Sequence, residues 1–452
     1  MGSVRSAKRI VIIVPDCGEG GLFQFYNSVV PGLAAVAEVH LVFASPTHSP
    51  QEPQISGAIC HKLLPESAAP ILAQLLEGPL AIAPNLARAL AVTANAWQFA
   101  KTLNPDCIEL CDWPLGAAAG VIDGAVPVIV QGHGSMVQIA FNDPARGGAV
   151  EAMMLQLIEA QVFGLAQNLQ TYSTANARFL EECSHRPVAM IRPAFAVPDQ
   201  PAALAAANDR MSVFGRLQSW KGPHILCAAL ERLGSNAPAC DWYGSSKPWP
   251  GSSQPAETYL AQTFPAAWNQ SLHYHGSIDR DQVGGTMARS RAIIIPSTWD
   301  VFNFTVIEAM AAERPVIVSS GAGASELIEH GVNGFVFPAG DARALAAAIA
   351  AVASLSDAAA HAIGAAARAT IQRELDPARI VAERMSAYEK AIVAHSAAPP
   401  QRAPGWLKDL LTPGTLRNFD MQEFLSTLPF RPLVASTAER ISAKFIPKRW
   451  QR

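Results

Sequence analysis

Short apolar runs rich in β-branched residues alternate along the chain with longer segments rich in alanine and leucine. Short, continuous apolar runs of this kind are typical of strands buried on both faces of a sheet. The alternation therefore predicts βα units around parallel sheets. The predicted strands are residues 9–14, 39–44, 107–110, 127–131 and 169–173 in the first half, and 211–215, 240–244, 272–276, 291–296, 315–320 and 334–337 in the second.

A segment rich in proline and alanine, PAFAVPDQPAALAAAND, separates the two series of strands. A chain of 452 residues exceeds what one hydrophobic core usually organises. We therefore predict an α/β protein with two tandem Rossmann-like domains, residues 1–198 and 210–385, joined by a linker at 199–209. Residues 386–452 are predicted to form a C-terminal segment that packs back on the N-terminal domain.

Composition narrows the function classes. Half of the residues are hydrophobic and 16% are charged, which is typical of a well-buried globular protein. The net charge of −3 argues against a nucleic-acid partner. The seven cysteines fall mostly in apolar segments, which favours reduced thiols over a disulfide framework. No metal site is predicted, because Cys107 and Cys111 lack the further ligands that zinc needs.

The two ends of the chain indicate where in the cell the protein is expected. The apolar run near the N-terminus is too short for a signal peptide or a membrane span, so we expect a first β-strand and a cytoplasmic protein. Residues 397–452 carry nine Lys and Arg against four Asp and Glu. This basic tail, which also contains Trp and Phe, is interpreted first as packing on the N-terminal domain. Peripheral contact with an anionic membrane is the alternative.

Two glycine-containing segments follow predicted strands. The first is Gly18-Glu19-Gly20-Gly21, whose backbone can approach an anionic ligand closely or form an ordinary turn. The second is GRLQSWKG, in which Arg216 and Lys221 can converge on a diphosphate or remain solvated cations at a helix start.

The segment PSTWDVFNFTVIEAMAAERPVIVSS places two acids, Asp300 and Glu308, eight positions apart. Residues FNFTVIEAMAA are predicted to form a helix that opens at the loop after a strand. An anionic group would bind at that helix N-terminus to the amides of Phe302, Asn303 and Phe304. The two acids would then accept hydrogen bonds from ligand hydroxyls, and a diphosphate with hydroxyls describes a nucleotide sugar.

At this segment the chain resembles the retaining glycosyltransferases of family four, which have the GT-B fold. The resemblance extends from residue 9 to about residue 385. Its strongest block is PSTWDVFNFTVIEAMAAERPVIVSSGAGASELIEHGVNGFVF, which is similar to the family's acid-x7-acid segment with its following strand and glycine turn. The resemblance implies two Rossmann-like domains that face a central cleft.

The resemblance also implies roles for individual residues. Glu308 would bind the ribose hydroxyls and Asp300 would face the donor sugar. Arg216 and Lys221 would hold the diphosphate and stabilise the charge that develops as it leaves.

Further donor contacts are implied on both domains. Gly20 and Gly21 would approach the phosphates, His133 in the segment GHGS would lie beside the transferred sugar, and the loop that contains Ile278 and Arg280 would border the base. Glu109 and Asp112, at the end of another strand, are interpreted either as acceptor contacts or as solvated loop acids.

Two positions depart from the family pattern. Asp300 stands where the family usually has glutamate, so its contact with the sugar is lost or suits a different sugar. Asn303 stands where a glycine usually follows the motif phenylalanine, and its side chain would narrow the sugar pocket. Asparagine nevertheless tolerates unusual backbone angles.

The sequence predicts a hexosyltransferase that moves a sugar from a nucleotide donor to a saccharide, a lipid-linked glycan or another hydroxyl acceptor. Retention without a protein nucleophile indicates front-face attack, and no metal cofactor is expected. UDP is favoured over GDP because Arg280 suits uridine better than guanine, and GDP-mannose is the alternative. Two other functions stay open, a non-catalytic sugar-nucleotide-binding protein and an epimerase. A dinucleotide-dependent oxidoreductase is disfavoured because no glycine segment has the G-x-G-x-x-G spacing.

Overall fold

The structure is a computed structural model. It describes residues 7–15, 21–48, 54–142, 149–198, 208–252, 254–398 and 400–411.

The first half of the chain forms a seven-stranded parallel sheet with the strand order β3-β2-β1-β4-β5-β6-β7. Its central strands are almost fully buried, as their continuous apolar runs predict. The strands are β1 (Arg9–Val14), β2 (Glu38–Ala44), β3 (Ile59–Leu63), β4 (Cys107–Cys111), β5 (Val128–Gln131), β6 (Leu169–Thr171) and β7 (Ala189–Met190).

The second half forms a six-stranded parallel sheet with the strand order β10-β9-β8-β11-β12-β13. Two parallel-sheet α/β domains confirm the predicted fold class. The strands are β8 (Met211–Phe214), β9 (Cys240–Tyr243), β10 (Leu272–Gly276), β11 (Ala292–Ile295), β12 (Val316–Ser319) and β13 (Phe335–Phe337).

Helices connect the strands and cover the sheets. Those of the first domain are α1 (Gly21–Ala34), α2 (Ala69–Leu76), α3 (Pro84–Thr102), α4 (Ala118–Asp123), α5 (Met136–Asn142), α6 (Ala149–Leu165) and α7 (Thr174–Ser184). Those that follow are α8 (Pro223–Leu233), α9 (Ala256–Thr263), α10 (Arg280–Arg289), α11 (Phe304–Ala311), α12 (Ala342–Ala353), α13 (Asp357–Glu374), α14 (Pro377–Ala397) and α15 (Gly405–Leu411).

The strand order of both sheets changes direction beside the first strand. In the first sheet β1 lies between β2 and β4, and in the second β8 lies between β9 and β11. Ligands of open α/β sheets bind outside the carboxyl ends of the strands at such a point. The segments GRLQSWKG and PSTWDVFN follow β8 and β11, so the topology places the two motifs side by side.

Helix α14 returns to the first domain and packs against α1, β4 and β5. Its residues run across the predicted boundary between 385 and 386. Helix α15 then packs on α3 and α4, with Trp406 and Leu407 buried in the core of the first domain. Residues 412–452, most of the basic tail, lie outside the described residues.

A buried ion pair fixes α14 to the first sheet. Arg384 on α14 pairs with Glu109 on β4, and both side chains are fully buried. Arg384 also donates to Gln131 Oε1 over 3.1 Å, and the Tyr388 hydroxyl donates to Glu109 Oε2 over 2.6 Å. Glu109 therefore binds α14, so its interpretation as an acceptor contact or a solvated loop acid was wrong.

Within the described ranges, no single helix combines the length and the apolar character needed to cross a bilayer. The helices at 342–353 and 357–397, which are bent by 114° relative to each other, pass that test only as a pair and only by length and composition.

We predict that Arg384→Met destabilises the protein by about 3–5 kcal/mol, because it leaves the charge of Glu109 buried without a partner. Urea unfolding monitored by circular dichroism measures the change. The matched control is Arg379→Met on the same helix, whose partner Glu383 is partly exposed; it should cost less than about 1 kcal/mol. Equal stability of the two variants would contradict the role of the buried pair.

Candidate active site

The loop after β8 is held against the loop after β11. The backbone N–H of Thr298 donates to the carbonyl oxygen of Trp220 over 2.7 Å. Trp220 also packs edge-on against Trp299, with ring centroids 5.8 Å apart. Gly222 has a φ of +74°, and a Cβ there would lie 1.9 Å from the carbonyl oxygen of Pro296. Glycine is therefore required where the two loops touch.

Lys221, Asp300 and Asn303 form one polar cluster at this contact. Lys221 Nζ makes an ion pair with Asp300 Oδ2, and Asn303 Nδ2 donates to the same oxygen over 3.0 Å. The Lys221 and Asp300 side chains are only 20% and 21% exposed. The structure thus brings together two residues that the sequence placed in separate motifs, and their mutual attraction is only partly screened by solvent.

Asn303 begins helix α11 and holds Asp300 in place. Its φ of 82° is positive, a conformation that asparagine adopts more readily than most other residues with a side chain. Its Oδ1 accepts a hydrogen bond of 3.1 Å from the Thr305 N–H, which satisfies one free donor of the first helical turn. The Asn303 side chain therefore caps the helix and also orients Asp300.

Glu308 lies further along α11 and faces a cavity of about 520 Å³. We call this space the Glu308 cavity. Burial raises the pKa of the Glu308 carboxyl, and Arg280 opposes the shift because its Nη2 lies 3.8 Å from Glu308 Oε1.

The other walls of the Glu308 cavity come from the carboxyl ends of β8, β9 and β10. Gly215 and Gly244 follow β8 and β9, and Ser277 and Ile278 follow β10. Its volume falls within the range of about 300–1,000 Å³ that is usual for small-molecule sites. The predicted base-side residues, Ile278 and Arg280, therefore lie in the same cavity as the second acid.

The first domain contributes the loop Gly132–Ser135, which follows β5. The buried carboxylate of Asp112 accepts hydrogen bonds from the backbone N–H groups of His133 (2.9 Å) and Gly134 (3.1 Å). Burial raises the pKa of Asp112 from its ordinary 3.8 to about 6, although both N–H groups favour the charged form. Asp112 therefore positions this loop, and neither earlier interpretation, an acceptor contact or a solvated loop acid, was right.

The His133 ring lies between two tyrosines. Its Nε2 is 3.0 Å from the Tyr26 hydroxyl and its Nδ1 is 3.0 Å from the Tyr172 hydroxyl. Burial lowers the pKa of His133 well below its usual range, and the charge of Arg384 lowers it further. The imidazole is therefore neutral, donating to one tyrosine and accepting from the other. Contact between the ring and a sugar stays a prediction, since it would require one of these hydrogen bonds to be exchanged.

A second cavity, of about 450 Å³, lies between the domains and is called the interdomain cavity below. Asp300 lines it from the second domain, and helices α5 and α7 line it from the first. The two acids of the motif thus face different cavities. The lining residues are Val137, Gln138, Phe141, Asn142, Ser173, Ala175, Asn176, Phe179, Trp299, Asp300, Val301 and Gly321.

Direct contacts join the two domains at the rim of the cleft. Glu326 accepts hydrogen bonds from the Thr174 N–H (2.7 Å) and hydroxyl (2.9 Å), so it closes the N-terminus of α7 across the cleft. A Cβ on Gly134 would lie 3.2 Å from Val301 Cγ2. Glu326 lies within the sequence block that carries the resemblance, but the sequence did not show that its partner lies in the other domain.

The remaining predicted site residues that the structure describes lie at the N-termini of α1 and α11 and in the loop after β8. A Cβ on Gly21 would lie 3.9 Å from Phe304, so α1 and α11 meet at their N-termini. The Phe302 ring is buried against Tyr172, with ring centroids 5.6 Å apart. The amides of Phe302, Asn303 and Phe304 stay the predicted anion ligands.

Two further residues were predicted to contact the phosphates, Arg216 and Gly20. Arg216 is exposed, with its guanidinium carbon 6.0 Å from the Trp220 ring centroid. Gly20 lies outside the described residues.

The described side chains contain no group of three or more His, Cys, Asp or Glu residues arranged to hold a metal ion.

We predict that Asp112→Asn removes a pH dependence of stability. The folded state holds the Asp112 proton up to about pH 6, whereas the unfolded chain loses it near 3.8, so the wild-type free energy of unfolding falls as pH rises through this interval. The free energy of unfolding of the wild type minus that of Asp112→Asn should therefore decrease by up to about 3 kcal/mol between pH 4 and pH 7. Urea unfolding at several pH values measures it, and a difference that stays constant would contradict the burial effect.

Comparison with known proteins shows what the second domain and the fold are similar to. Residues 208–354, which contain the whole second sheet, match the family model described as Glycosyl transferases group 1. Over 133 residues the chain is 27% identical to an uncharacterized glycosyltransferase, MJ1607, of Methanocaldococcus jannaschii, a match that covers 29% of this chain and 33% of that protein. The chain therefore spans about a third of the length of the curated relatives it matches.

Solved structures are similar over both domains. HepE (Alr3699) of Anabaena, in complex with UDP, has a TM-score of 0.60 and 17% identity, over 85% of this chain and 100% of that one. Sucrose-phosphate synthase of Thermosynechococcus elongatus has a TM-score of 0.64 and 18% identity, over 86% and 100%. The chain therefore has the GT-B fold predicted from its sequence, and its second domain is similar to group 1 glycosyl transferases.

Proposed function

We propose that this protein is a retaining glycosyltransferase that moves a hexose from a nucleotide-diphosphate sugar to a hydroxyl acceptor. One observation carries the proposal. Asp300 and Glu308 face two different cavities, with the N-terminus of α11 between them and Lys221 beside it. A helix N-terminus and a cation suit a diphosphate, the Glu308 cavity suits its nucleoside, and the space beside Asp300 at the edge of the interdomain cavity suits its sugar.

The nucleoside would occupy the Glu308 cavity. Glu308 would accept hydrogen bonds from the ribose hydroxyls, and Ile278 and Arg280 would border the base. HepE, which shares the fold, is a protein solved in complex with UDP, and this supports a uridine donor. UDP-sugars are therefore the proposed donors, and GDP-mannose is the alternative to be tested beside them.

The diphosphate would bind between Lys221, Arg216 and the first amides of α11. Lys221 is already paired with Asp300, so binding exchanges a carboxylate partner for a phosphate partner. Asp300 then loses its cation but keeps the hydrogen bond from Asn303. Its carboxylate would face the hydroxyls of the donor sugar at the edge of the interdomain cavity.

Transfer would follow front-face attack. The acceptor hydroxyl forms the new bond to the anomeric carbon on the face from which the diphosphate leaves, and a diphosphate oxygen takes the hydroxyl proton. The protein supplies position and charge stabilisation and needs no covalent nucleophile. We propose that two cations and a helix N-terminus neutralise the leaving diphosphate without a metal ion.

We predict that UDP raises the melting temperature of the purified protein more than GDP does, since a ligand at 100 times its Kd stabilises the folded state by about 2.7 kcal/mol. Glu308→Gln should weaken UDP binding about tenfold, because the ribose loses a charged acceptor. Differential scanning fluorimetry measures both effects.

The matched control for Glu308→Gln is Glu231→Gln, an exposed acid on α8 outside both cavities, which should bind UDP like the wild type. A melting temperature that neither nucleotide raises would contradict the proposed function.

We predict that Arg216→Ala and Lys221→Ala each lower kcat about 10²–10³-fold, because each removes a cation that stabilises the leaving diphosphate. The control Arg232→Ala, an exposed cation on α8, should keep wild-type kcat. Transfer should survive EDTA, and proton NMR of the product should show the anomeric configuration of the donor.

The outcomes separate the alternative functions. Full activity of both cation variants would contradict their role, and an inverted product would contradict retention. Binding of a hydrolysable donor without turnover would instead identify a sugar-nucleotide-binding protein, and release of an epimerised sugar would identify an epimerase.

A further inference from the structure

The interdomain cavity exposes an aromatic side chain to solvent. Phe141, on the last turn of α5, is 86% exposed and lines the cavity, and Phe179 and Trp299 line it as well. Large apolar side chains that border a concave site in this way are typical of ligand contacts, because a ligand removes their surface from water. The cavity therefore offers aromatic surface to whatever enters from the side of the first domain.

The charge in this cavity is already balanced. Among the described residues that line it, Asp300 is the one charged side chain, and Lys221 neutralises it. No described lining residue supplies a cation for a phosphate or carboxylate group. An anionic ligand would therefore gain no ion pair in this cavity, and once a donor diphosphate has taken Lys221 it would face the Asp300 carboxylate alone. A neutral ligand would meet no such penalty.

The wall of the cavity formed by the first domain is polar and held in a fixed arrangement. Gln138 Nε2 donates to Asn176 Oδ1 over 2.7 Å, and Asn176 Nδ2 donates to Thr171 Oγ1 over 2.8 Å. Gln138 Oε1 accepts from the Ser135 N–H over 3.0 Å. Gln138 and Asn176 are only 6% and 3% exposed, but both border the cavity. Each amide oxygen has a second lone pair with which it can accept a hydrogen bond from a ligand hydroxyl.

We propose that the interdomain cavity binds an uncharged pyranose of a saccharide acceptor and selects against phosphorylated sugars. The apolar face of the ring packs on Phe141, as carbon-bound hydrogens pack on aromatic faces elsewhere. Its hydroxyls bond to Gln138 and Asn176, and one hydroxyl points towards Asp300. This inference rests on the proposed function, which supplies the donor on the other side of Asp300.

The first experiment uses the full-length protein saturated with UDP and measures disaccharide binding by saturation-transfer-difference NMR. The neutral probes are maltose, lactose, cellobiose and trehalose, and the charged probes are trehalose 6-phosphate and glucose 6-phosphate. At least one neutral disaccharide should bind at least tenfold more tightly than both phosphates. Tighter binding of a phosphate, or binding of none of the neutral disaccharides, would overturn the proposal.

The second experiment tests the residue. Phe141→Ala should raise the Kd of the best neutral disaccharide at least tenfold, whereas Phe141→Tyr, which keeps the ring, should stay within threefold of the wild type. The matched control is Val393→Ala on α14, a similarly exposed apolar residue outside the cavity, whose Kd should not change. If Phe141→Ala bound the disaccharide as tightly as the wild type does, the proposed stacking of the sugar ring on Phe141 would be wrong.

The effect of UDP on the melting temperature tests the proposed function separately from the proposal about the acceptor. A protein that UDP stabilises but that prefers phosphorylated sugars would keep the proposed function and lose this acceptor class. A protein that UDP does not stabilise would lose the proposed function itself.

Discussion

The relative position of the two domains depends on the buried pair of Arg384 and Glu109. Helix α14 comes from the end of the second domain's chain, yet its one fully buried cation is neutralised by a strand of the first sheet. A buried charge needs a partner of opposite charge, so α14 cannot pack equally well at another position on the first domain. An apolar cluster continues from β1 and α1 through α14 to α11 and α13, so apolar packing also joins the two domains. The hydrogen bond between Thr174 and Glu326 adds a polar contact between them.

The ion pair between Lys221 and Asp300 determines how the candidate site can bind an anionic ligand. Lys221 is paired with Asp300 in the structure. Under the proposed function, the donor diphosphate would gain this cation only as Asp300 lost it, which would lower the net benefit of the phosphate contact and leave a carboxylate beside the sugar. The hydrogen bond from the Asn303 amide would limit the movement of that carboxylate. Asn303 therefore combines a positive φ, which glycine adopts most readily, with a hydrogen bond to Asp300.

The sequence predicted most strands reliably where they are buried on both faces, because there a strand appears as a continuous apolar run; the partly exposed edge strand β10 was also predicted. Strand β3 contains His61 and Lys62 at the sheet edge, β7 has two exposed residues, and both were missed. Motif spacing found Asp300, Glu308 and Lys221, since each lies within a local segment. It could not find the long-range partners: Asp112 resembles an ordinary loop acid, and Arg384 resembles a solvated helix cation.

The spacing of the two acids follows from the geometry of α11. Asn303 ends the loop that carries Asp300, so the first acid is fixed relative to the helix start. Glu308 then shares a helix face with Thr305 and Ala311, three residues before and after it, and all three line the same cavity. One residue inserted before Glu308 would turn this acid by about 100°, to the side on which Ala309 is buried. With eight positions between them, Asp300 faces the interdomain cavity and Glu308 faces the Glu308 cavity, and the N-terminus of α11 lies between the two acids.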